Sequence, residues 1–246
     1  MITLYHSLHS TCSQKVRLCL AEKSLAWTGE HLSLRAFDHL QPKFLALNPA
    51  GLVPVLVDHG TMVTESRIIN EYLEDVYPQP ALVPATPAAR ARMRLWTRYI
   101  DLVPSEAVKL PSFVKNIVPA LRAMSQADAL LAIARIPDPY IRARWQQAAT
   151  VGITAADIAP SLAQLVDMLE RMDRALASGP WLAGDQLSLA DLDIAPFVQR
   201  LVRIDLFHEV EARARVRDWY ERISSRPAYR AAMPPAGSEG TPAAPA

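Results

Sequence analysis

The stretch Asn48-Pro-Ala-Gly-Leu-Val-Pro-Val-Leu-Val-Asp-His-Gly-Thr-Met-Val-Thr-Glu-Ser66 decides the fold of this chain. Its pattern predicts a loop, a short apolar strand at 55–57, a turn at 58–60, and a second strand at 62–64. A helix is then expected to begin at Ser66. A tight turn between two short strands makes an antiparallel pair, which forms the edge of a small sheet.

Two features of this stretch predict a binding site. Val53-Pro54 places a proline just before a strand, where a missing N–H is harmless and a cis bond is tolerated. A cis turn would present the backbone N–H and C=O of Val53 to an extended peptide. Glu65-Ser66 lies where a strand meets a helix, whose first N–H groups can hold a carboxylate. The ligand expected here is small, peptide-like and anionic at one end, although Ser66 could also be a plain N-cap.

Composition excludes several classes of protein. The 246 residues are 50% hydrophobic, which is enough for one large domain or two modest ones. The net charge of +1 gives no broad positive field, so neither a nucleic acid partner nor an acidic membrane is expected. No apolar run approaches the ~20 residues of a membrane span, and no signal peptide precedes the first strand pattern.

The two cysteines, Cys12 and Cys19, indicate a reducing environment. On one helix they would lie roughly 10 Å apart, which is too far for a disulfide. Without a cluster of histidines they also make a poor metal site. We therefore expect a cytoplasmic protein that holds no metal.

The chain divides into two parts around a proline-rich linker. Residues 1–78 read as β-α-β-α-β-β-α, with the first two strands parallel because a helix connects them. Residues 79–87 form the linker, and 88–233 show helical patterns only. Two helix starts in this second part, Thr154 to Asp157 and Ser188 to Asp191, have the capping-box pattern. Residues 234–246 are predicted to be a disordered tail.

This organisation resembles the cytosolic glutathione transferase family, with a thioredoxin-like first domain and an all-helical second domain. Asn48-Pro-Ala-Gly-Leu-Val-Pro54 is similar to the family's cis-proline loop, and Thr64-Glu-Ser66 to its signature at the next helix. Trp181-Leu-Ala-Gly-Asp followed by Ser188-Leu-Ala-Asp191 resembles the folding motif of the helical domain. The three motifs occur in the family's order and span nearly the whole chain.

The resemblance implies specific contacts with glutathione. Glu65 would pair with the ammonium of the γ-glutamyl end, and Ser66 would take its carboxylate. The cysteinyl backbone would pair with Val53, before the cis-proline. His39 stands where several classes contact the glycine carboxylate. Leu52 stands where many members have Gln or Lys, a departure that removes a side-chain donor at that end.

The resemblance places the catalytic residues in Ser10-Thr11-Cys12-Ser13. This run is similar to the S-S-C-S run of the zeta class, and the activating serine of the phi, theta and zeta classes aligns with Ser10. A hydroxyl there, at the start of a helix, would stabilise the glutathione thiolate. Cys12, which aligns with the beta-class cysteine, and Ser13 are alternatives. All four residues could also be simple capping groups with a small thiol.

The hydrophobic electrophile would bind in the second domain and the first loop. The candidates share apolar or aromatic character: Leu8, His9, Trp96, Tyr99, Val103, Phe113 and Trp145. Aromatic residues on helices are more often part of a core, which is the competing interpretation. The long segment 105–153, with Ile136-Pro-Asp-Pro and Arg144-Trp145, resembles bacterial glutathione-dependent β-aryl etherases.

Three functions remain open at this point. The first is a glutathione transferase that acts on a hydrophobic electrophile, which the resemblance to the etherases suggests is an aryl ether, as a homodimer of the kind the family forms. The second is a thiol-disulfide oxidoreductase that uses Cys12, although the C-x-x-C motif is missing. The third is a non-catalytic glutathione-binding protein, which the intact Glu65-Ser66 pair disfavours.

Overall fold

The structure is a computed structural model that describes residues 1–234. The predicted disordered tail lies outside the described residues except for Pro234, which is buried. Within the described part, no helix combines the length and apolar character needed to cross a bilayer. Cys12 and Cys19 are both free thiols.

The first domain has the predicted order of elements. They are β1 Ile2–His6, α1 Thr11–Glu22, β2 Trp27–His31, α2 Pro42–Leu47, β3 Val55–Asp58, β4 Thr61–Thr64 and α3 Ser66–Val76. The strands form one sheet in the order β2-β1-β3-β4. Strands β1 and β2 are parallel, whereas β3 is antiparallel to both β1 and β4. The predicted thioredoxin-like topology is therefore confirmed.

The second domain is helical, as predicted. Its helices are α4 Pro87–Leu102, α5 Pro104–Ala107, α6 Lys109–Asn116, α7 Val118–Ala123, α8 Gln126–Ala134, α9 Pro139–Thr150, α10 Ala155–Ala175, α11 Leu189–Arg203, α12 His208–Glu211, α13 Ala214–Ser224 and α14 Pro227–Ala232. Both expected capping boxes are present, at the starts of α10 and α11. Prolines at the first turn of several helices explain why the region after α4 is divided into short pieces.

Helix α1 connects the two domains. It packs against α3 of its own domain and against α11 and α14 of the second. Every residue from Ser13 to Leu20 is therefore buried, including two that carry charge, Lys15 and Arg17. Because an ionised side chain is costly to bury alone, each of these needs partners from another element.

Two hydrophobic clusters stabilise the fold. The larger one is continuous across both domains, from Leu4 in the sheet to Phe197 and Trp219 in the helices. The smaller one joins Phe37 of the first domain to the helices of segment 105–153. In it the Trp145 ring lies 5.7 Å from Phe37 and 4.8 Å from Phe113, measured between centroids. The long segment therefore packs on the loop that leads to His39.

Candidate functional site

The register of the sheet brings the predicted site segments to one edge. Tyr5 pairs with Val55, and Val55 pairs with Thr64, so the end of β1, the start of β3 and the end of β4 lie side by side. His6 pairs with His31, which adds the end of β2 to the same edge. The chain segments leaving this edge are 7–13, 32–41, 52–54 and 65–66.

The start of α3 is open. Glu65 is the N-cap and has φ of 65°, a conformation that favours glycine and costs a glutamate about 1–3 kcal/mol. No side chain caps this helix, so the expectation that Ser66 is an N-cap is wrong; Ser66 is the first helical residue. Neither side chain has a hydrogen-bond or ion-pair partner among residues 1–234. Glu65 is exposed and Ser66 is 6% exposed, and among the described residues no partner occupies these two side chains or the first-turn N–H groups.

The loop before β3 contains the predicted cis bond, between Val53 and Pro54. Asn48 supports this loop by donating from Nδ2 to the carbonyl of Leu52 at 2.8 Å. The N–H and C=O of Val53 make no hydrogen bond within the described part of the chain. The side chain of Leu52 is 51% exposed and, being apolar, cannot donate a hydrogen bond to a ligand.

His39 is a neutral group. It lies in a 3-10 turn, Asp38–Leu40, and burial lowers its pKa to about 4 although Asp38 opposes this shift. Its Nδ1 is buried and lacks a hydrogen-bond partner among the described residues. At neutral pH it can therefore offer a ligand a hydrogen bond but no positive charge.

The loop before α1 places the three catalytic candidates differently. Ser10 is the N-cap of α1, and its Oγ accepts a hydrogen bond from the Ser13 N–H at 3.2 Å. The Ser10 hydroxyl is half-exposed and can still donate its own proton. Ser13 is fully buried, and its Oγ accepts from the Ser7 N–H at 3.2 Å. Cys12 is partly exposed.

Two buried arginines fix this loop, and both were missed from sequence. Arg17 donates to the carbonyls of Ser7 and Leu8, at 3.1 and 2.8 Å. Arg200, from α11, donates through Nη2 to the carbonyl of His9. Three consecutive carbonyls are thus bound, and burial lowers the pKa of each arginine only to about 10. Both guanidinium groups therefore stay charged at neutral pH.

A second buried cation nearby has acidic partners. Lys15 Nζ lies 3.0 Å from Asp101 Oδ1 and 3.4 Å from Asp193 Oδ2. Asn70 donates to the other oxygen of Asp193 at 2.9 Å. Asp193 and Arg200 are seven residues apart in α11 and so share one face of this helix, but that spacing does not reveal their partners.

The candidates for the electrophile site do not form one group. Trp96 and Tyr99 stack edge to face with centroids 5.7 Å apart, and Arg171 lies 4.2 Å over the Tyr99 ring. Phe113 and Trp145 belong to the smaller hydrophobic cluster. Leu8 and His9 lie in the loop before α1, and Val103 follows α4 half-buried. Within residues 1–234, no cluster of three or more His, Cys, Asp or Glu side chains could hold a metal.

These features define the two-domain architecture of glutathione transferases, with a thioredoxin-like sheet followed by a helical domain. Models of the N-terminal and C-terminal glutathione S-transferase domains match residues 9–76 and 142–222. Glutathione S-transferase 3 of Zea mays is 31% identical over 219 residues, which cover 88% of this chain and 86% of that protein. The chain belongs to the glutathione S-transferase family.

Two further findings concern a bacterial relative. Protein LigF of Sphingobium sp. strain SYK-6 is 29% identical over 225 residues, which cover 89% of this chain and 87% of LigF. The crystal structure of beta-etherase LigF from the same strain superimposes with a TM-score of 0.87 at 28% identity. That superposition covers 94% of this chain and 98% of the LigF chain.

Proposed function

We propose that this protein is a cytoplasmic glutathione transferase that binds glutathione along the open edge of the sheet. The γ-glutamyl end would lie on Glu65 and Ser66, the cysteinyl backbone on Val53 beside Pro54, and the glycine end near His39. The observation that carries this proposal is that these groups converge at one edge while lacking partners of their own. Unpartnered polar groups at a helix start favour an anionic ligand.

The chemical task of the site is to ionise the thiol of glutathione. A free thiol has a pKa of roughly 8.5 and is mostly protonated at neutral pH. The Ser10 hydroxyl can donate to the sulfur while its oxygen caps α1, and the positive end of the helix adds to this effect. The thiolate so formed is the nucleophile.

We propose a β-aryl ether as the electrophile. Similarity to beta-etherase LigF over 94% of this chain supports this substrate class. In the reaction, the glutathione sulfur attacks the β-carbon, a C–S bond forms, and the C–O bond breaks. The phenolate leaves with the bonding electron pair and takes a proton from water.

The test has two parts. Isothermal calorimetry measures glutathione binding, and chromatography with mass spectrometry follows a β-aryl ether ketone to a phenol and a glutathione thioether. Binding together with stoichiometric phenol and thioether is the expected result. Absence of glutathione binding at millimolar concentration would refute the transferase proposal. Conjugation of a simple aryl halide without phenol release would refute only the ether as substrate.

A second function is favoured by the position of Cys12. Its partly exposed thiol lies in the first turn of α1, where the charges of Lys15 and Arg200 reach it. A Cys12 thiolate could attack glutathione disulfide, forming a mixed disulfide and releasing one glutathione thiolate. Mass spectrometry after incubation with glutathione disulfide tests this: an adduct on Cys12, with activity lost in Cys12→Ala, is expected for the redox enzyme and not for the transferase.

We further propose that the protein is a homodimer that associates through α3 and α4. Ile68 and Leu95 are 42% and 61% exposed on these helices. A cleft of about 540 Å³ lies between α3 and α4 and is lined by Arg67, Glu71, Ala91, Arg94, Leu95 and Arg98. Light scattering at micromolar concentration should give a dimer for the wild type and a monomer for Leu95→Glu; a monomeric wild type would overturn this assembly.

A further inference from the structure

The two arginines at the loop before α1 have neutral partners only. Besides the two loop carbonyls, Arg17 donates to the carbonyl of Ala232 at 2.9 Å and contacts the ring nitrogen of His6 at 3.1 Å. Burial, Arg17 and His31 together lower the pKa of His6 to about 3, so this ring is neutral. Arg200 donates to the His9 carbonyl and, at 3.0 Å, to the Ser112 hydroxyl. Among residues 1–234, no carboxylate lies within ion-pair distance of either guanidinium.

The surroundings of these two arginines differ from those of Lys15, which is also buried in α1. The charge of Lys15 is balanced by Asp101 and Asp193, both within 3.4 Å. The charges of Arg17 and Arg200 are not balanced in this way, and the two residues are only 5% and 7% exposed, so bulk water screens them weakly. In such surroundings the electrostatic field of a guanidinium extends to neighbouring groups with little attenuation.

Arg200 is the arginine that acts on the reactive end of the loop. It binds the carbonyl of His9, the peptide group that leads directly into Ser10. Its charge also reaches the first turn of α1: burial and Arg203 lower the pKa of Arg200, whereas a thiolate at Cys12 raises it. A negative charge at this helix start therefore interacts favourably with Arg200.

We propose that Arg200 is a positioning residue that lowers the pKa of the bound glutathione thiol through space while fixing the register of the loop that carries Ser10. This inference rests on the proposed transferase function. In this proposal Ser10 donates the hydrogen bond to the sulfur, and Arg200 supplies the uncompensated positive charge behind Ser10.

The other charged groups around the helix start set the background for this effect. They come from α1, α4 and α11 and comprise Lys15, Arg17, Asp101, Asp193 and Arg203. Lys15 pairs with Asp101 and Asp193, and Arg67 lies 3.5 Å from Asp101, so the charges of these four groups sum to about zero and contribute little net field. Removal of Arg200 should therefore raise the pKa of bound glutathione by about one pH unit, or about a tenfold loss of thiolate below that pKa.

The test is a spectrophotometric titration of thiolate absorbance at saturating glutathione, in parallel with kcat against pH. Arg200→Gln should shift both profiles upward by about one pH unit. Arg200→Lys keeps the charge, so its bound glutathione should titrate near the wild-type pH. Its kcat should be lower, because lysine holds the loop less well. Arg217→Gln, which removes an exposed arginine of α13, is the control for net charge and should leave the titration unchanged.

The outcomes separate this inference from the proposed function. A wild type whose bound glutathione titrates like free glutathione would refute thiol activation by this protein, and this inference with it. If the pKa of bound glutathione is low in the wild type and equally low in Arg200→Gln, only the role of Arg200 is overturned. If Arg200→Lys raises this pKa as much as Arg200→Gln does, the charge of Arg200 is not the cause. If Arg200→Gln does not fold, Arg200→Met carries the same test, because an apolar side chain of similar volume often replaces a buried charge.

Discussion

Two helix starts in this molecule, those of α11 and α3, use similar side chains in opposite ways. At α11 the side chains of Ser188 and Asp191 are buried and hydrogen-bonded. Asp191 accepts from the N–H and Oγ of Ser188 at 3.1 and 3.0 Å. It also accepts from the Leu182 N–H at 2.9 Å and from Trp219 Nε1 at 3.0 Å. This carboxylate therefore connects three separate parts of the second domain.

At α3 the corresponding groups are left open. Glu65 is exposed and has a positive φ, and Ser66 makes no capping hydrogen bond. A folded protein rarely leaves a helix start unsatisfied unless a ligand or water completes it. The difference indicates that the α11 motif stabilises the fold, and it supports our proposal that the α3 motif binds glutathione. The start of α1 is intermediate, because Ser10 caps the helix and can still donate.

The largest effect is expected at the satisfied helix start. Asp191→Ala would leave four donors without their acceptor and should lower the free energy of unfolding by about 3 kcal/mol or more. Asp157→Ala is the matched control, because Asp157 forms an exposed capping box with Thr154 and should cost about 1 kcal/mol. Urea denaturation measures both. Loss of activity in Asp191→Ala at unchanged stability would show that this motif serves catalysis and would break the comparison.

The intermediate helix start should affect both rate and stability. Ser10→Ala should reduce kcat by about 100-fold at neutral pH, the loss typical of removing one donor to a developing anion. The kcat of this variant should partly recover at high pH, where the thiol of glutathione ionises unaided. Loss of the cap should also cost about 1 kcal/mol of stability.

Two further variants sharpen the interpretation of Ser10. Ser10→Thr keeps a hydroxyl and should retain most of the rate, and Cys12→Ala should be nearly silent in conjugation. An unchanged pH–rate profile in Ser10→Ala would move the assignment to Thr11 or to a backbone N–H of the same turn. Ser13 is a poor substitute, because its hydroxyl is buried against the Ser7 N–H.

The open helix start should affect binding alone. Ser66→Ala removes a hydrogen bond to a carboxylate and should raise the glutathione dissociation constant by about tenfold or more. Its stability should change by less than about 0.5 kcal/mol, because Ser66 makes no capping bond. Ser125→Ala is the control with the opposite expectation: its Oγ accepts from the Asp128 N–H, so stability should fall by about 1 kcal/mol while binding is unchanged. Calorimetry measures the change in binding and denaturation the change in stability, so the two variants can be told apart.

The sequence predicted those parts of the site whose causes are local. Both capping boxes depend on residues three apart. The relative directions of paired strands follow from the lengths of their connections, and the cis bond at Val53-Pro54 is signalled by the proline itself. The two arginines could not be predicted in the same way. Arg200 binds a carbonyl 191 residues away in the chain, and Arg17 binds one 215 residues away. Such pairs follow from the packing of α1 between the domains, which no periodicity encodes.

The conformation of Glu65 was also beyond the sequence. A glutamate carries no signal for positive φ, and the expectation of an ordinary cap at Ser66 followed from the usual statistics of helix starts. The conformation is imposed by the direct passage from β4 to α3, which leaves one residue to turn the chain. The strain at this position therefore comes from the fold, and its benefit is the open helix start.

The smallest predicted effect tests that strain. Glu65→Gly and Glu65→Ala both remove the carboxylate and should weaken glutathione binding equally, but only glycine adopts a φ of 65° at little cost. Glu65→Gly should therefore be more stable than Glu65→Ala by about 1 kcal/mol. The same pair at Gln41 is the control, because Gln41 is an uncapped N-cap with φ of −76°. At Gln41 the glycine variant should be no more stable than the alanine variant, because glycine gives the unfolded chain more conformational freedom. Equal stabilities of the two Glu65 variants would mean that the residue relaxes to a negative φ in solution, and the start of α3 would then not be held open by the backbone.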